Sequence, residues 1–179
     1  MRAQASADAP ERAARLRIMV FDVDGVLTDG RLWYGPQGET LKSFDVRDGH
    51  GLKLLAGEGV ATALLSGRRS EAVSARAGEL GVQHVLQGVS DKRPAFDELL
   101  ARLGVDRTQA GYMGDDLPDV PVLSVCGFAC APRGAHALAL DRAHFVPAAP
   151  AGAGAAREVC EYVLRAQGRL ERAQARYLA

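Results

Sequence analysis

Apolar residues along the chain fall into short continuous runs that alternate with stretches of helical spacing. The first run, at 17–21, is followed by Asp22 and is typical of a parallel strand buried on both faces. Further apolar runs occur at 60–65, 84–86, 110–113, 127–131 and 144–146. Helical spacing occurs at 52–58, 70–80, 93–103, 118–125 and 135–140. The alternation predicts an α/β fold with a Rossmann-like parallel sheet and helices on both faces.

Three other segments lie outside this alternation. Residues 31–44 contain two strand-like stretches around a turn at 36–38, which predicts a β-hairpin after the first strand. Residues 1–15 are expected to form a flexible tail that precedes a single domain over 16–179. Near the other end, an Ala- and Gly-rich stretch leads into a helical segment at 155–167. The remaining segment, 168–179, is expected either to extend that helix or to reach outward.

Length, charge and cysteine content limit the class of protein. A chain of 179 residues fits one domain, and 22 basic against 22 acidic residues leave no net field to attract nucleic acid or a membrane. No apolar run reaches the ~18 residues that a membrane span needs. The three cysteines, Cys126, Cys130 and Cys160, are an odd number and are interpreted as buried apolar residues. We therefore expect a cytoplasmic protein that binds neither nucleic acid nor membrane.

Acidic residues follow two of the predicted strands. Asp22 and Asp24 follow the first strand, and residues two apart on an extended chain face the same way. Two carboxylates so close repel each other unless a cation lies between them, and Mg²⁺ takes oxygen ligands. A second cluster, GDDLPD at 114–119, follows the strand at 110–113 and so reaches the same edge of the sheet. A single acid there would be interpreted as a helix cap, but two clusters predict a metal site.

Ser66 and Lys92 lie between the two acidic clusters in sequence. Ser66 comes at the end of a predicted strand, so its hydroxyl is expected at the same edge of the sheet. The chain has only three lysines, Lys42, Lys53 and Lys92, against many arginines. The placement of Lys92 between the two acidic clusters therefore favours a functional role for this lysine.

The order of these elements resembles a known superfamily. They are DVDGVLTDG at 22–30, Ser66 after a strand, Lys92, and GDDLPD at 114–119. Over residues 17–167 they resemble the haloacid dehalogenase superfamily of phosphotransferases. Three further segments resemble, within it, the family of 3-deoxy-D-manno-octulosonate 8-phosphate (KDO 8-phosphate) phosphatases: VRDGHG at 46–51, LLSGRRS at 64–70 and REVCEYVLRAQGRL at 157–170.

The resemblance implies a role for each acidic or polar residue of the cluster. Asp22 would attack phosphorus and form an aspartyl-phosphate, and Asp24 would act as general acid and then base. Ser66 would bind a phosphoryl oxygen, and Lys92 would pair with the nucleophile. Mg²⁺ would be held by the carboxylates of Asp22 and Asp115 and by the backbone carbonyl of Asp24. The residues that would orient metal-bound water and Lys92 are Asp116 and Asp119.

Substrate recognition is expected near two arginines. Arginine suits the capture of a carboxylate, which a 2-keto sugar acid carries, whereas an isolated arginine is more often a solvated surface residue. Related phosphatases of nonulosonate 9-phosphates are expected to carry Glu where this chain has Arg68, so Arg68 favours the octulosonate. His50, close to Arg47 and Asp48 in the sequence, is a further candidate for the substrate pocket. The residues expected to bind the sugar acid are Arg47, Asp48, Gly67 and Arg68.

Two departures from the family pattern affect these expectations. The chain has Ala-Gly-Ala-Gly at 151–154 where the family carries Gly-Gly-Arg-Gly, so the missing arginine removes one expected contact with substrate. The hairpin at 31–44 stands in place of a cap domain and is too small to exclude water alone. The apolar side chains of Leu32, Trp33, Tyr34, Leu41 and Phe44 predict that the hairpin packs against copies from other subunits and covers their sites; the alternative is that Trp33 and Tyr34 fold back on their own domain. The resemblance implies that the assembly is a homotetramer. The alternatives are a nonulosonate 9-phosphate phosphatase and a non-catalytic oligomerisation module; a receiver domain would not need Asp24.

Overall fold

The structure, a computed structural model, describes residues 2–36 and 38–178 as one α/β domain. Its strands are β1 (Gln4–Ala5), β2 (Ile18–Phe21), β3 (Trp33–Gly35), β4 (Gly38–Leu41), β5 (Ala61–Ser66), β6 (His84–Gln87), β7 (Ala110–Met113), β8 (Phe128–Cys130) and β9 (Phe145–Val146). Seven of them form one sheet in the order β1-β9-β8-β7-β2-β5-β6, and β3 pairs with β4 in a separate hairpin.

The central position of β2 brings three strand ends together. β2 is parallel to β5 on one side and to β7 on the other, and Phe21 is opposite Leu64 and Met113. This register aligns the residues that follow β2, β5 and β7 at one edge of the sheet. Antiparallel pairing occurs only between β1 and β9 among the described strands of this sheet. The predicted parallel sheet is thus confirmed, with one short antiparallel strand added at its margin.

Helices cover both faces of the sheet, as the alternation predicted. They are α1 (Ala9–Ala14), α2 (Val46–Gly57), α3 (Glu71–Leu80), α4 (Lys92–Leu103), α5 (Val120–Leu123), α6 (Ala137–Leu140), α7 (Ala155–Ala166) and α8 (Leu170–Ala175). One apolar core unites α1, α2, α3, α7 and α8 with the sheet, and a second unites α4, α5 and α6 with its other face. Within the described ranges, no helix has both the length and the apolar character to cross a membrane.

The N-terminal segment differs from the expectation of a flexible tail over 1–15. β1 extends the sheet and α1 buries Ala9 and Ala13 against the core. Arg12 Nη1 also donates to the carbonyl of Gly127 at 3.0 Å. Alanines give a weak hydrophobic pattern in sequence, yet their small side chains allow α1 to pack closely. β1 and α1 therefore pack as part of the domain in this structure.

Helix α2 begins earlier than its apolar spacing predicts. The side chain of Asp45 accepts a hydrogen bond from the backbone N–H of Arg47 at 2.6 Å and so caps the helix, which starts at Val46 instead of at 52. At the other end of the chain, residues 170–175 form a separate helix, α8, after a turn at Gly168 with φ of 65°. Neither a continued helix nor an outward-reaching segment describes this part of the chain.

The predicted hairpin is present, and its side chains are largely exposed. Trp33 is 54% exposed, Tyr34 66% and Leu41 65%. Phe44 instead packs against the core of its own domain, so its inclusion in the exposed apolar face is corrected. Gln37, within the predicted turn, lies outside the described residues. A two-stranded ribbon of this kind does not bury enough apolar surface to be stable alone.

Candidate active site

The carboxyl ends of β2, β5 and β7 enclose a cleft of about 520 Å³. Parallel strands place their final residues at one edge, and the loops that follow β2 and β7 carry acidic side chains. The site residues expected from sequence that line the cleft are Asp22, Asp24, Ser66, Gly67, Arg68, Lys92, Asp115, Asp116 and Asp119. Arg47 and Asp48 do not line it.

Lys92 connects the two acidic clusters. It is the first residue of α4, which the Asp91 side chain caps by accepting from the N–H of Arg93. Its Nζ lies 3.0 Å from Asp22 Oδ1 and 2.7 Å from Asp119 Oδ1. Burial alone would lower the pKa of Lys92, but the two carboxylates outweigh burial and raise it. Lys92 is therefore a fixed positive charge beside the Asp22 carboxylate.

Asp119 fixes the positions of other residues in the second acidic cluster through its hydrogen bonds. Its Oδ1 accepts from Tyr112 Oη at 2.6 Å as well as from Lys92, and its Oδ2 accepts the backbone N–H groups of Asp115 and Asp116 at 2.9 and 3.1 Å. A side chain at Gly114 would collide with this carboxylate. Both oxygens of Asp119 are thus occupied by protein donors. This arrangement leaves Asp119 to position Lys92 and the Asp115 loop.

Asp22 and Asp115 form a negatively charged pair suited to a cation. Ligand atoms of Asp22, Asp115 and Asp119 lie within 4.8 Å of one another. Burial, with repulsion from Asp119, raises the pKa of Asp22 to about 7 against the opposing effect of Lys92. Burial and Asp119 also raise the pKa of Asp115 to about 7. Carboxylates that burial and a neighbouring carboxylate destabilise in this way fit a divalent cation with oxygen ligands.

Gly25 allows Asp115 to approach the first acidic loop. Its φ is 86°, a conformation that favours glycine, and a Cβ at this position would collide with the Asp115 carboxylate. The carboxylate of Asp115 is thus packed against the backbone that follows Asp24. The carboxylates of Asp22 and Asp115, whose ligand atoms lie within 4.8 Å of each other, are oxygen donors of the kind that a divalent cation takes.

Ser66 and Gly67 form the third side of the cleft. Ser66 is the last residue of β5 and is buried, and its Oγ accepts the backbone N–H of Arg68 at 3.2 Å. Its hydroxyl proton remains available for an acceptor such as a phosphoryl oxygen. Gly67 has no side chain to obstruct the space above Ser66.

A chain of charges that the sequence did not predict connects the hairpin to the cleft. Lys42 Nζ bonds Asp24 Oδ1 and lies 2.6 Å from Glu39 Oε1, while Glu39 Oε2 accepts from Arg68 Nε at 2.9 Å. Arg68 Nη2 also donates to Tyr34 Oη at 3.2 Å. Although burial alone would raise the pKa of Glu39, Lys42 and Arg68 lower it. The scarcity of lysine was the one sequence signal that could have drawn attention to Lys42.

Two expected substrate-binding residues have another role in this subunit. Asp48 is 2% exposed, and its oxygens accept the backbone N–H groups of Gly154 at 3.1 Å and Arg157 at 2.8 Å. It therefore joins α2 to the start of α7 and does not line the cleft of this subunit. Arg47 bonds Asp45 at 2.7 Å and the carbonyl of Ala153 at 2.8 Å, outside the cleft.

His50 also lies away from the cleft of this subunit. Its ring packs edge-on against Tyr177, with 5.4 Å between the ring centroids. His50 is not among the residues that line the cleft. The contact instead places the chain after α8 against α2.

The fold and the cleft define a phosphatase of the haloacid dehalogenase superfamily. No family model matches the chain. The KDO 8-phosphate phosphatase KdsC of Yersinia pestis is 46% identical to it over 164 residues, which cover 92% of this chain and 88% of that protein. The chain belongs to the KDO 8-phosphate phosphatase family, whose members are phosphoric monoester hydrolases.

Solved structures agree with this assignment. A probable YrbI family phosphatase from Pseudomonas syringae has a TM-score of 0.94 at 45% identity, covering 97% of this chain and 99% of that one. The KDO 8-phosphate phosphatase of Moraxella catarrhalis has a TM-score of 0.93 at 34% identity, covering 96% and 99%. The Moraxella structure is a complex with magnesium ion, phosphate ion and KDO.

Proposed function

We propose that this protein hydrolyses KDO 8-phosphate to KDO and inorganic phosphate in the cytoplasm, within lipopolysaccharide biosynthesis. The observation that carries the proposal is the placement of Asp22 beside Lys92, at 3.0 Å, with Asp24 and Ser66 lining the same cleft. A carboxylate nucleophile, a fixed cation, an acid and a hydroxyl donor are the groups that phosphoryl transfer through a covalent intermediate requires.

The first chemical step transfers the phosphoryl group to Asp22. A carboxylate oxygen of Asp22 attacks phosphorus while the bond to the sugar oxygen breaks, and Asp24 donates a proton to that leaving oxygen. Lys92 offsets negative charge beside the nucleophile, and Ser66 donates to a phosphoryl oxygen. The products of this step are an aspartyl-phosphate and the free sugar acid.

The second step returns Asp22 to its starting state. Asp24, now a carboxylate, accepts a proton from water as the water oxygen attacks phosphorus and the bond to Asp22 breaks. Asp119 keeps Lys92 in place throughout because both of its oxygens are held by protein donors. Inorganic phosphate then leaves the cleft.

Mg²⁺ fits the donor set at this edge of the sheet. The carboxylates of Asp22 and Asp115 and the backbone carbonyl of Asp24 would hold it, while Asp116, which lines the same cleft, would orient the water around it. When bound, the cation neutralises charge between the nucleophile and the phosphate. The support lies in the raised pKa values of Asp22 and Asp115, each about 7, and in the close approach of Asp115 that Gly25 permits.

Arg68 is the residue best placed to recognise the carboxylate of the sugar acid. It lines the cleft next to Ser66 and Gly67, and its planar guanidinium matches a carboxylate in charge and geometry. Glu39 binds Arg68 in the structure, at 2.8 Å. A substrate carboxylate would share Arg68 with Glu39 or replace it there.

Phosphate release across a panel of esters tests the proposed function. The panel compares KDO 8-phosphate, a nonulosonate 9-phosphate and a neutral sugar phosphate with Mg²⁺ present, and the highest kcat/KM is expected for KDO 8-phosphate. A preference for the nonulosonate would change the substrate but keep the chemistry. Release from none of them would favour the non-catalytic oligomerisation module.

The exposed hairpin supports a homotetramer with shared active sites. Leu32, Trp33, Tyr34 and Leu41 present apolar surface beside a cleft that this subunit leaves open. Hairpins from neighbouring copies would bury these side chains and exclude water from the sites. Light scattering is expected to give four times the subunit mass of 19.0 kDa. A fully active monomer would contradict this assembly.

A further inference from the structure

Lys42 is a buried lysine whose position the proposed chemistry does not use. Its side chain is 1% exposed, and its Nζ contacts Asp24 Oδ1 and Glu39 Oε1. It is not among the residues that line the cleft. Removing an ammonium group from water costs free energy that only close anionic partners offset. An apolar residue would fill this position at a lower free-energy cost, so packing alone does not explain why a lysine is found here.

The two carboxylate oxygens of Asp24 have different surroundings. Oδ1 accepts a hydrogen bond from Lys42, whereas Oδ2 is buried and has no hydrogen-bond partner within residues 2–36 and 38–178. Rotation about the Cβ–Cγ bond would change the orientation of the carboxylate unless one of its oxygens is held. Lys42 holds Oδ1 and so fixes the orientation of this carboxylate at the edge of the cleft, which Asp24 lines.

We propose that Lys42 is a positioning residue, which fixes the orientation in which the Asp24 carboxylate serves the leaving group. The inference rests on the acid and base role proposed for Asp24. Lys42 acts through Asp24 alone and touches neither the phosphate nor the sugar. Glu39 in turn keeps Lys42 in place, because its Oε1 lies 2.6 Å from Nζ and its Oε2 is held by Arg68.

Leaving-group dependence separates this role from a purely structural one. Departure of a sugar alkoxide requires a proton, whereas 4-nitrophenyl phosphate releases a stabilised phenolate without one. Lys42→Met is therefore expected to lower kcat/KM for the sugar-acid phosphate by about 100-fold and for 4-nitrophenyl phosphate by less than about 3-fold. An equal loss with both substrates, or no loss with either, would overturn the proposal.

Lys53→Met is the matched control. Lys53 lies on α2 and is exposed, so the same change of side chain removes a charge without touching the cleft. Both substrates are expected to react within about 2-fold of the wild-type rate. A selective loss with the sugar phosphate in this control would also overturn the proposal, since the effect would then follow from charge alone.

A double-mutant cycle provides a second readout. In an Asp24→Asn background, Lys42→Met is expected to change kcat/KM for the sugar-acid phosphate by less than about 3-fold, because Lys42 acts only through the lost carboxylate. Losses that multiply would contradict the proposal. If Lys42→Met does not fold, Lys42→Leu, which also removes the N–H donor, replaces it in both experiments.

The two proposals fail in different ways. The leaving-group contrast can be measured with any alkyl phosphate that the wild-type protein hydrolyses. A wild-type protein that releases phosphate from another sugar phosphate but not from KDO 8-phosphate overturns the substrate assignment and leaves the test of Lys42 intact.

Discussion

Two regions of the molecule bury aspartates, yet the carboxylates have different roles in them. One is the cleft, where Asp22 and Asp115 share their surroundings with Asp119 and have pKa values of about 7. The other is the α2–α7 junction, formed by Asp48, Gly154 and Arg157, where burial also raises the pKa of Asp48. Two backbone N–H groups oppose that rise at the junction, and they occupy both oxygens of Asp48.

The two regions differ in the number of hydrogen-bond donors and cations available to each carboxylate. At the junction one carboxylate meets two donors from the start of a helix, which is a complete structural contact. In the cleft several carboxylates compete for one lysine, so their mutual repulsion calls for a cation. An excess of buried negative charge therefore distinguishes the active site from a helix cap.

The largest effect is expected from Asp22→Asn. An amide cannot form the acyl-phosphate, so phosphate release should fall by at least about 1,000-fold. The melting temperature of the metal-free protein at about pH 8 should not fall, because ionisation of Asp22 opposes folding there. Phosphate assays and thermal unfolding check both expectations. Turnover near the wild-type rate would exclude the covalent mechanism.

Metal removal is the next test of the cleft. Excess chelator should stop turnover and added Mg²⁺ should restore it, because Asp22 and Asp115 need a cation when both are ionised. The same chelator should leave the helix content unchanged by circular dichroism, since the α2–α7 junction contains no metal ligand in this scheme. Full activity in chelator would contradict the metal site.

The pH dependence of metal binding has a definite sign. Burial, with repulsion from Asp119, raises the pKa of Asp22 and Asp115 from 3.8 to about 7 in the folded protein. Their contribution to stability is complete below pH 3.8 and is lost as the pH rises through about 7. Mg²⁺ should therefore raise the melting temperature more at about pH 8 than at about pH 6, where it competes with protons. An equal rise at both values would contradict this.

Arg68 lies in the cleft and Arg47 lies beside the α2–α7 junction, so replacing each of these arginines compares the two regions. Arg68→Ala should raise KM for KDO 8-phosphate by about 10- to 100-fold, because a charged hydrogen bond contributes about 1.5–3 kcal/mol. KM for a phosphate ester without a carboxylate should change far less. Arg47→Ala should leave both KM values nearly unchanged, since Arg47 lies outside the cleft of its own subunit. Equal losses with both esters for Arg68→Ala would assign it to the phosphate or to folding.

The smallest effect on activity is expected from Asp48→Asn. The amide keeps one acceptor and sets an N–H₂ group against a backbone donor, which should cost about 1–3 kcal/mol of unfolding free energy. The kcat/KM should stay within about 2-fold of wild type, because the contacts of Asp48 are to α7 and not to the cleft. Denaturant unfolding and phosphate assays measure the two quantities. A large loss of activity at unchanged stability would return Asp48 to the active site.

Much of the fold and the cleft could be read from local patterns. Continuous apolar runs identify strands buried on both faces, and parallel pairing of those strands brings their carboxyl ends to one edge. Asp22, Ser66, Lys92 and Asp115 were therefore predictable as a group, since each ends or follows a strand or begins a helix at that edge. The hairpin was equally predictable, because its turn residues and strand lengths are local properties.

Contacts between distant segments could not be read in this way. Asp48 and Arg157 are 109 residues apart, and Lys42 and Asp24 are 18 apart, so no spacing rule pairs them. A polar residue has the same local pattern whether it caps another helix, holds a catalytic carboxylate or meets solvent. Burial and hydrogen-bond partners separate these roles, and both arise only when the chain packs into its tertiary structure.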